Sequence, residues 1–434
     1  MNSLNIWVDM EKAAILYENN NNFSFAYTEN WKANNKYQFS PYLELNSETS
    51  GVSVRNFFSN LLPEGQVLEG LSQAYQVSKF DVFGILKKVG KDCAGALVLL
   101  EKNETPEGWG TTILDSYEKI ELNELESRIE ESQANETPIM FWKVTPRMSL
   151  AGVQNKLGVY LDEDNNIYIP KVGAPTSHIL KPDAIKGNKH EGIAANEYFC
   201  MQLAKTIKLN VPDTSYRKLS TPIYLVKRYD RIWTTEGALV RSHQIDGCQA
   251  LNLAPNQKYE LAHPDSQLGA TAKDIFGLSK QCRVPAVAQR EMLQLFIYNY
   301  LIGNSDAHAK NISFLINKTS FERGYLLSEK GMIVAPFYDL VSGTVYGYGE
   351  MAQSIGGEFE YALVGKIEWK QFADDCGVKF EVIQKIAKDM LVQIDKNIEK
   401  VVKRVEKETD SKIISEIFRE IQLHKSYLLD SLIS

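Results

Sequence analysis

The chain has no apolar run reaching the ~18 residues that a membrane-spanning helix requires. Its first twenty residues, MNSLNIWVDMEKAAILYENN, hold no basic leader followed by an apolar stretch, which speaks against secretion. The five cysteines are far apart and form no Cys-x-x-Cys pair, so neither a zinc site nor a disulfide framework is expected, and free thiols suit a reducing cytosol. A cytoplasmic location follows as the expectation. There is no surplus of positive charge: the formal net charge is −7, which opposes an extended nucleic-acid surface because phosphate binding needs clustered Lys and Arg. Gly-x-x-x-x-Gly-Lys-Ser/Thr is absent as well, which argues against a P-loop NTPase.

What is present is ordinary globular composition, 44% hydrophobic and 24% charged, over 434 residues. That length exceeds what one core usually organises, so two or three packed units are expected. Residues 1–105 read as a small mixed unit. Leu4–Val8 and Ala13–Tyr17 look like strands, and VRNFFSNLLPEG (54–65) spaces its apolar residues as a helix stopped by Pro63 and Gly65. FDVFGILKKVGKDCAGALVLL (80–100) reads as a helix, a glycine turn and a buried strand. By itself this unit suggests structure and no chemistry. Residues 106–137 are acidic and polar and read as a helical linker.

Strand patterns return over 138–240: KLGVYL, NIYIP, HILKP and PIYLVKRYD, interrupted by the helix EGIAANEYFCMQLAKTIKL. From 241 to 434 long helical stretches dominate, among them REMLQLFIYNYLIG, apolar enough for a buried helix. The fold class expected is α+β: a β-rich lobe with an extra N-terminal subdomain, followed by an all-helical C-terminal lobe.

Chemistry concentrates in LIGNSDAHAKNISFLI (301–316), where a helix ends at Gly303, a polar loop follows and a strand resumes at Ile312. Asp306 and Asn311 stand five apart, the Asp-x-x-x-x-Asn spacing of a kinase catalytic loop. The aspartate accepts the proton of the attacking hydroxyl, and the asparagine supplies a neutral oxygen to Mg²⁺. His308, Ala309 and Lys310 lie between them, with His308 and Lys310 expected to face phosphate oxygens. The spacing alone fits a loop held by Asx turns equally well. A second piece strengthens it: IVAPFYDLVSG (333–343) reads as an apolar strand ending in Tyr338 and Asp339, where an aspartate can bridge the metal as that of a kinase DFG segment does. Upstream, Lys181 in HILKPD closes a strand. In a kinase that lysine meets the α and β phosphates and is oriented by a glutamate of the next helix, for which Glu197 is the candidate and Glu191 also qualifies. The strand LVKRYD places backbone groups of Lys227, Arg228 and Tyr229 where a hinge would meet adenine. In SLAGVQNK (149–156), small residues before a strand offer backbone N–H groups to phosphates.

With these residues in place, the chain resembles the HipA family of toxin kinases over nearly its whole length. NFFSNLLPEG, GKDCAGAL, SLAGVQNK, SHILKP, NEYFC, RYDR, HQIDGCQAL, NSDAHAKNISF, PFYDL and SIGG carry the likeness, in the family's order. The resemblance implies a two-lobed, kinase-like fold and ATP- and Mg²⁺-dependent phosphorylation of Ser/Thr, with glutamyl-tRNA synthetase as the family's substrate. It implies Asp306 as base and Asn311 and Asp339 as metal ligands. His308 and Tyr338 would lie near the nucleotide, Lys181 on its phosphates, Lys227, Arg228 and Tyr229 at the hinge. The loop of Ala151, Gly152, Val153, Gln154, Asn155 and Lys156 would cover the phosphates. Ser149 would be the autophosphorylation site, its phosphoryl charge of about −1.5 to −2 expelling the loop and inactivating the enzyme. The implied partner is a small DNA-binding antitoxin, HipB-like, through which operator DNA would mainly be reached.

Two departures stand out. Lys227 occupies a hinge position that is acidic in some members. GEFEYALVGKIEW (357–369) has a single lysine where some members have a basic DNA-touching loop. Two other functions compete: a small-metabolite kinase, and a catalytically weak kinase fold acting as corepressor or scaffold beside the antitoxin. The N-terminal unit and Ser149 weigh against the former, and the complete set Lys181, Asp306, Asn311 and Asp339 against the latter.

Overall fold

A computed structural model describes residues 2–34, 37–106, 116–141, 154–171, 174–234, 238–261, 269–322 and 325–433. Ser149 and three of the proposed loop residues, Ala151, Gly152 and Val153, lie outside them.

The N-terminal subdomain is an antiparallel sheet of five strands, ordered Thr49–Ser50, Asn22–Tyr27, Glu11–Asn19, Asn2–Val8, Leu97–Glu101. Alternation builds it: in Asn22–Tyr27 every second residue is buried, and Phe23, Phe25 and Tyr27 turn inward together. Asn20 and Asn21, both at positive φ, make the two-residue hairpin that sets the register. Helices Val52–Ser59, Gly65–Tyr75 and Val82–Val89 supply further core residues.

The second sheet has six antiparallel strands in the order Thr214–Arg217, Ile223–Lys227, His178–Pro182, Leu157–Leu161, Ile167–Pro170, Tyr117–Ile120. Its last strand corrects the expected linker. Tyr117–Ile120 pairs with Ile167–Pro170 because Tyr117 and Ile120 are apolar at the two ends of an otherwise polar stretch, and both are buried. The acidic helix Leu122–Ala134 follows it. Helix Ile193–Thr206 is buried over nearly every residue, since it is packed between this sheet and helices Phe380–Thr409 and Ile413–Leu428.

Helices Pro285–Ile302, Lys366–Asp375, Phe380–Thr409 and Ile413–Leu428 make up most of the C-terminal lobe. It is not wholly helical as expected. Gln244–Asp246, Ser313–Glu322 and Tyr325–Val334 form a three-stranded sheet, and Glu350–Ile355 pairs with Glu358–Glu360. The strand expected over 333–343 stops at Val334, just before Pro336, which has no amide to donate.

Subdomain and lobes are joined by buried charge. Asp92, from GKDCAGAL, accepts from Arg231 at 2.8 Å, Arg241 at 3.2 Å, Arg228 at 3.4 Å and the Thr176 hydroxyl at 2.8 Å. Arg228 and Arg231 also meet Asp230, at 2.8 and 2.9 Å. Gly95 lies at positive φ with its N–H donating to Asp230; a Cβ there would come within 2.9 Å of the Gln244 backbone, so only glycine lets the two units close. Burial alone would raise the Asp92 carboxyl, but the three guanidinium groups outweigh it and hold it well below the usual carboxylate range.

Asp92→Asn should therefore destabilise the protein by about 3–5 kcal/mol, since three buried arginines would lose the carboxylate they share. A depressed carboxylate contributes fully above its unfolded pKa of about 4 and less as pH falls. The deficit, measured by denaturant unfolding, is expected to be complete at pH 7 and to shrink under acid.

Candidate active site

Helix Pro285–Ile302 ends at Gly303, whose positive φ stops the helix and turns the chain into the polar loop. No side chain fits there: a Cβ would sit 2.3 Å from Thr344 Oγ1. The loop is held by its own groups. His308 N donates to Asp306 O at 2.8 Å and Asn311 N to His308 O at 2.8 Å. Asn311 Nδ2 donates to Asp306 O at 2.7 Å, which leaves Asn311 Oδ1 without a partner among the described residues. That oxygen is the hard neutral donor a Mg²⁺ ion takes.

Lys181, at the end of its strand, is buried with its ammonium on both oxygens of Glu197, at 2.8 and 2.9 Å, and on Asp339 Oδ1 at 2.5 Å. Glu197 is thus the partner, and Glu191 is not: its carboxylate accepts from Gly187 N at the entrance to the helix. The neighbouring Asn196 fixes the same geometry, accepting from Ser342 N at 2.8 Å and donating to Ser342 O at 2.9 Å. Burial disfavours charge on Lys181, yet Asp339 and Glu197 together outweigh it and push its pKa up. Burial likewise works against ionised Asp339, and Lys181 and Lys156 reverse this, holding it down at about 2. Asp339 has a φ of +52°, a conformation that costs a non-glycine residue energy and that clusters at functional sites.

Asp306 accepts from the Tyr259 hydroxyl and is still 56% exposed, so an incoming hydroxyl can reach it. Burial raises its pKa, and the Tyr259 hydrogen bond and Lys258 draw it back. His308 is buried edge-on to Tyr259 at 5.1 Å, with Nε2 3.8 Å from Asp306 Oδ1. Burial first, then Lys258 and Lys310, hold its pKa well below the ordinary value, so the ring is neutral. Tyr338 donates to Lys310 O at 2.6 Å, its ring 5.9 Å from that of Tyr229.

Several expected contacts are corrected. Lys310 does not face the cleft: its ammonium is spent on Asn60 O at 2.8 Å, Asn60 Oδ1 at 2.9 Å and Asp246 at 3.1 Å. The Ala309 amide is bound to Lys258 O. Asn155 Oδ1 accepts from Ile139 N at 2.9 Å, which ties it to the base of the loop. Gln154 and Lys156 are half-buried; charge on Lys156 is disfavoured by burial and supported by Asp339. At the hinge, Lys227 N is bonded to Asp213 O and Arg228 N to Ser177 O, both at 2.9 Å, and the Arg228 side chain belongs to the Asp92 network. The Tyr229 N–H has no partner among the described residues. Sequence reasoning missed Tyr259, Lys258, Asn60, Glu64 and Asn196. Of these, Asn60 and Glu64 stand inside a matching motif, NFFSNLLPEG, and Asn196 inside another, NEYFC; nothing local marked Lys258 and Tyr259.

Lys181→Met would leave Glu197 and Asp339 facing each other without the ammonium that bonds both, an expected loss of about 3–5 kcal/mol in urea unfolding. Lys181→Met combined with Glu197→Met should recover part of that loss, because it removes one of the orphaned charges.

The chain is similar to known proteins over most of its length. Residues 4–100 match the HipA N-terminal domain and residues 148–400 the HipA-like C-terminal domain. A putative kinase of Sinorhizobium fredii, Y4mE, is 33% identical over 88% of this chain and 87% of its own. The serine/threonine-protein kinase toxin HipA of Shewanella oneidensis is 30% identical over 82% of this chain and 78% of its own. A solved structure of Shewanella oneidensis HipA, in complex with HipB and operator DNA, superposes with a TM-score of 0.79 at 26% identity, covering 98% of this chain and 96% of that one.

Proposed function

The chain belongs to the HipA family of kinases, and on that premise we propose that it is an ATP- and Mg²⁺-dependent kinase of protein serine and threonine hydroxyls, the toxin of a toxin–antitoxin pair. The observation that carries this is the buried Lys181 between Glu197 and Asp339, with Asp306 and Asn311 on the neighbouring loop. A lysine held by a helix glutamate is the arrangement that kinases use to grip the α and β phosphates. Asp339 and Asn311 Oδ1 would hold Mg²⁺, which would neutralise charge between the β and γ phosphates. Two protein oxygens suffice, because Mg²⁺ fills its shell with phosphate and water. Asp306, exposed on one side and fixed by Tyr259 on the other, would take the hydroxyl proton as the oxygen attacks the γ-phosphorus and the bond to the β–γ bridging oxygen breaks, releasing ADP.

Adenine would bind at the hinge through the Tyr229 N–H and neighbouring carbonyls, since the amides of Lys227 and Arg228 are already bonded. A contact made by main-chain atoms is indifferent to the replacement of an acidic side chain by Lys227. The family resemblance supports glutamyl-tRNA synthetase as the substrate, Ser149 as a self-inactivating phosphorylation site and the cytoplasm as the location. The HipB and operator DNA bound to the Shewanella protein support a small DNA-binding antitoxin as partner here, with DNA reached mainly through it. A corepressor without catalysis would have no need of the full set of Lys181, Glu197, Asp306, Asn311 and Asp339.

Purified protein incubated with Mg²⁺ and labelled ATP should acquire phosphate on Ser149, mapped by mass spectrometry. Asp306→Asn should cut the rate by about 100-fold or more. Absence of label on wild-type protein that binds ATP and starts unphosphorylated would sink self-phosphorylation, and absence of transfer to any protein hydroxyl would sink the kinase.

A further inference from the structure

The catalytic loop is braced from outside the two lobes. Helix Val52–Ser59 of the N-terminal subdomain ends at Asn60, whose carbonyl and side-chain oxygens both accept from Lys310 Nζ. Asn60 is itself immobilised, its Nδ2 donating to Asn56 O at 2.9 Å and Leu253 O at 2.8 Å. The carbonyl end of a helix favours a cation, so Lys310 is suited to this place. Four residues on, Glu64 precedes helix Gly65–Tyr75 but makes no side-chain cap. Its carboxylate meets Lys258 at 2.8 Å, and its Oε1, buried without a hydrogen bond, faces Lys310 at 3.7 Å.

These two lysines flank the chemistry. Lys258 precedes Tyr259, which donates to Asp306, and the Lys258 carbonyl accepts from Ala309 N at 3.0 Å. Lys310 precedes Asn311, the candidate metal ligand. With Asp246 on Lys310, the cluster holds two buried cations and two half-buried carboxylates. Deleting either subdomain residue leaves a buried ammonium short of acceptors, which the loop relieves only by moving.

We propose that Asn60 and Glu64 are positioning residues for phosphoryl transfer, through which the N-terminal subdomain fixes the distance between Asp306 and Asn311. The proposal rests on the kinase function argued above for its catalytic consequence, though not for its structural one. The subdomain is then part of the catalytic unit: detaching this contact loosens the loop without touching nucleotide or substrate.

The test uses the full-length chain carrying Asn60→Ala, Glu64→Ala or Glu64→Gln, with Glu69→Gln as a control in an exposed ion pair of the same subdomain. Amide hydrogen exchange over residues 304–312 should accelerate about tenfold or more in both alanine variants and stay unchanged in the control. Phosphoryl transfer should lose about 10- to 100-fold in kcat with KM for ATP nearly unchanged, the signature of misplaced groups rather than lost binding. Glu64→Gln keeps an oxygen for Lys258 and should fall between wild type and Glu64→Ala; it decides the matter if the alanine variant does not fold. Exchange at 304–312 equal to that of the wild type in Asn60→Ala and the Glu64 variants overturns the proposal, whatever the activity. Faster exchange in the variants of a chain that transfers no phosphate upholds the brace and removes the kinase reading instead.

Discussion

One ammonium group organises the cleft. Lys181 Nζ is bonded to a carboxylate from helix Ile193–Thr206 and to another from the segment after strand Tyr325–Val334, so a strand, a helix and a loop more than a hundred residues away are fixed at one point. Burying three charges is costly, and the cost is offset only while all three are present. The arrangement is therefore cooperative: the helix cannot rotate, nor Asp339 leave its positive-φ conformation, without exposing an unpaired charge. The complementary Asn196–Ser342 pair turns this point contact into a fixed orientation. It leaves two carboxylates against Lys181, with Lys156 nearby, so buried charges of both signs offset one another at this point.

The same device, buried charge shared across a boundary, joins the N-terminal subdomain to the rest. Asp92 meets arginines from three places in the β-rich lobe and beyond it, and Arg228 among them follows directly on the hinge strand. Asn60 and Glu64 do the equivalent at the catalytic loop. Hydrophobic contact alone would let the two units slide, since apolar burial is non-directional. Paired charges and hydrogen bonds have preferred geometries, and the junctions near strand Ile223–Lys227 and near the loop of Asp306 and Asn311 are built from them.

Much of the local structure was legible. The alternation in Leu4–Val8 and Ala13–Tyr17 and the helical spacing in VRNFFSNLLPEG gave elements of the N-terminal subdomain, and the kinase-like spacing of Asp306 and Asn311 was visible without any fold. Less legible were elements stabilised from a distance. Tyr117–Ile120 is a strand because Ile167–Pro170 offers it an edge, which no local pattern in an acidic stretch reveals. Lys310 looked like a phosphate ligand because it stands between two candidate site positions; its side chain is claimed instead by Asn60, 250 residues earlier.

What the sequence determined by itself was the set of chemical groups and their local spacing: a lysine closing a strand, an aspartate and an asparagine on one loop, an aspartate after an apolar run. Those follow from short-range rules, because backbone periodicity and turn chemistry act within a few residues. Tertiary structure alone decided which groups pair. It chose Glu197 over Glu191, gave Asp306 its Tyr259 and turned Lys310 toward the N-terminal subdomain. Pairing of buried charge depends on distances of a few ångströms between distant parts of the chain, and those distances exist only once the core has fixed where each element lies.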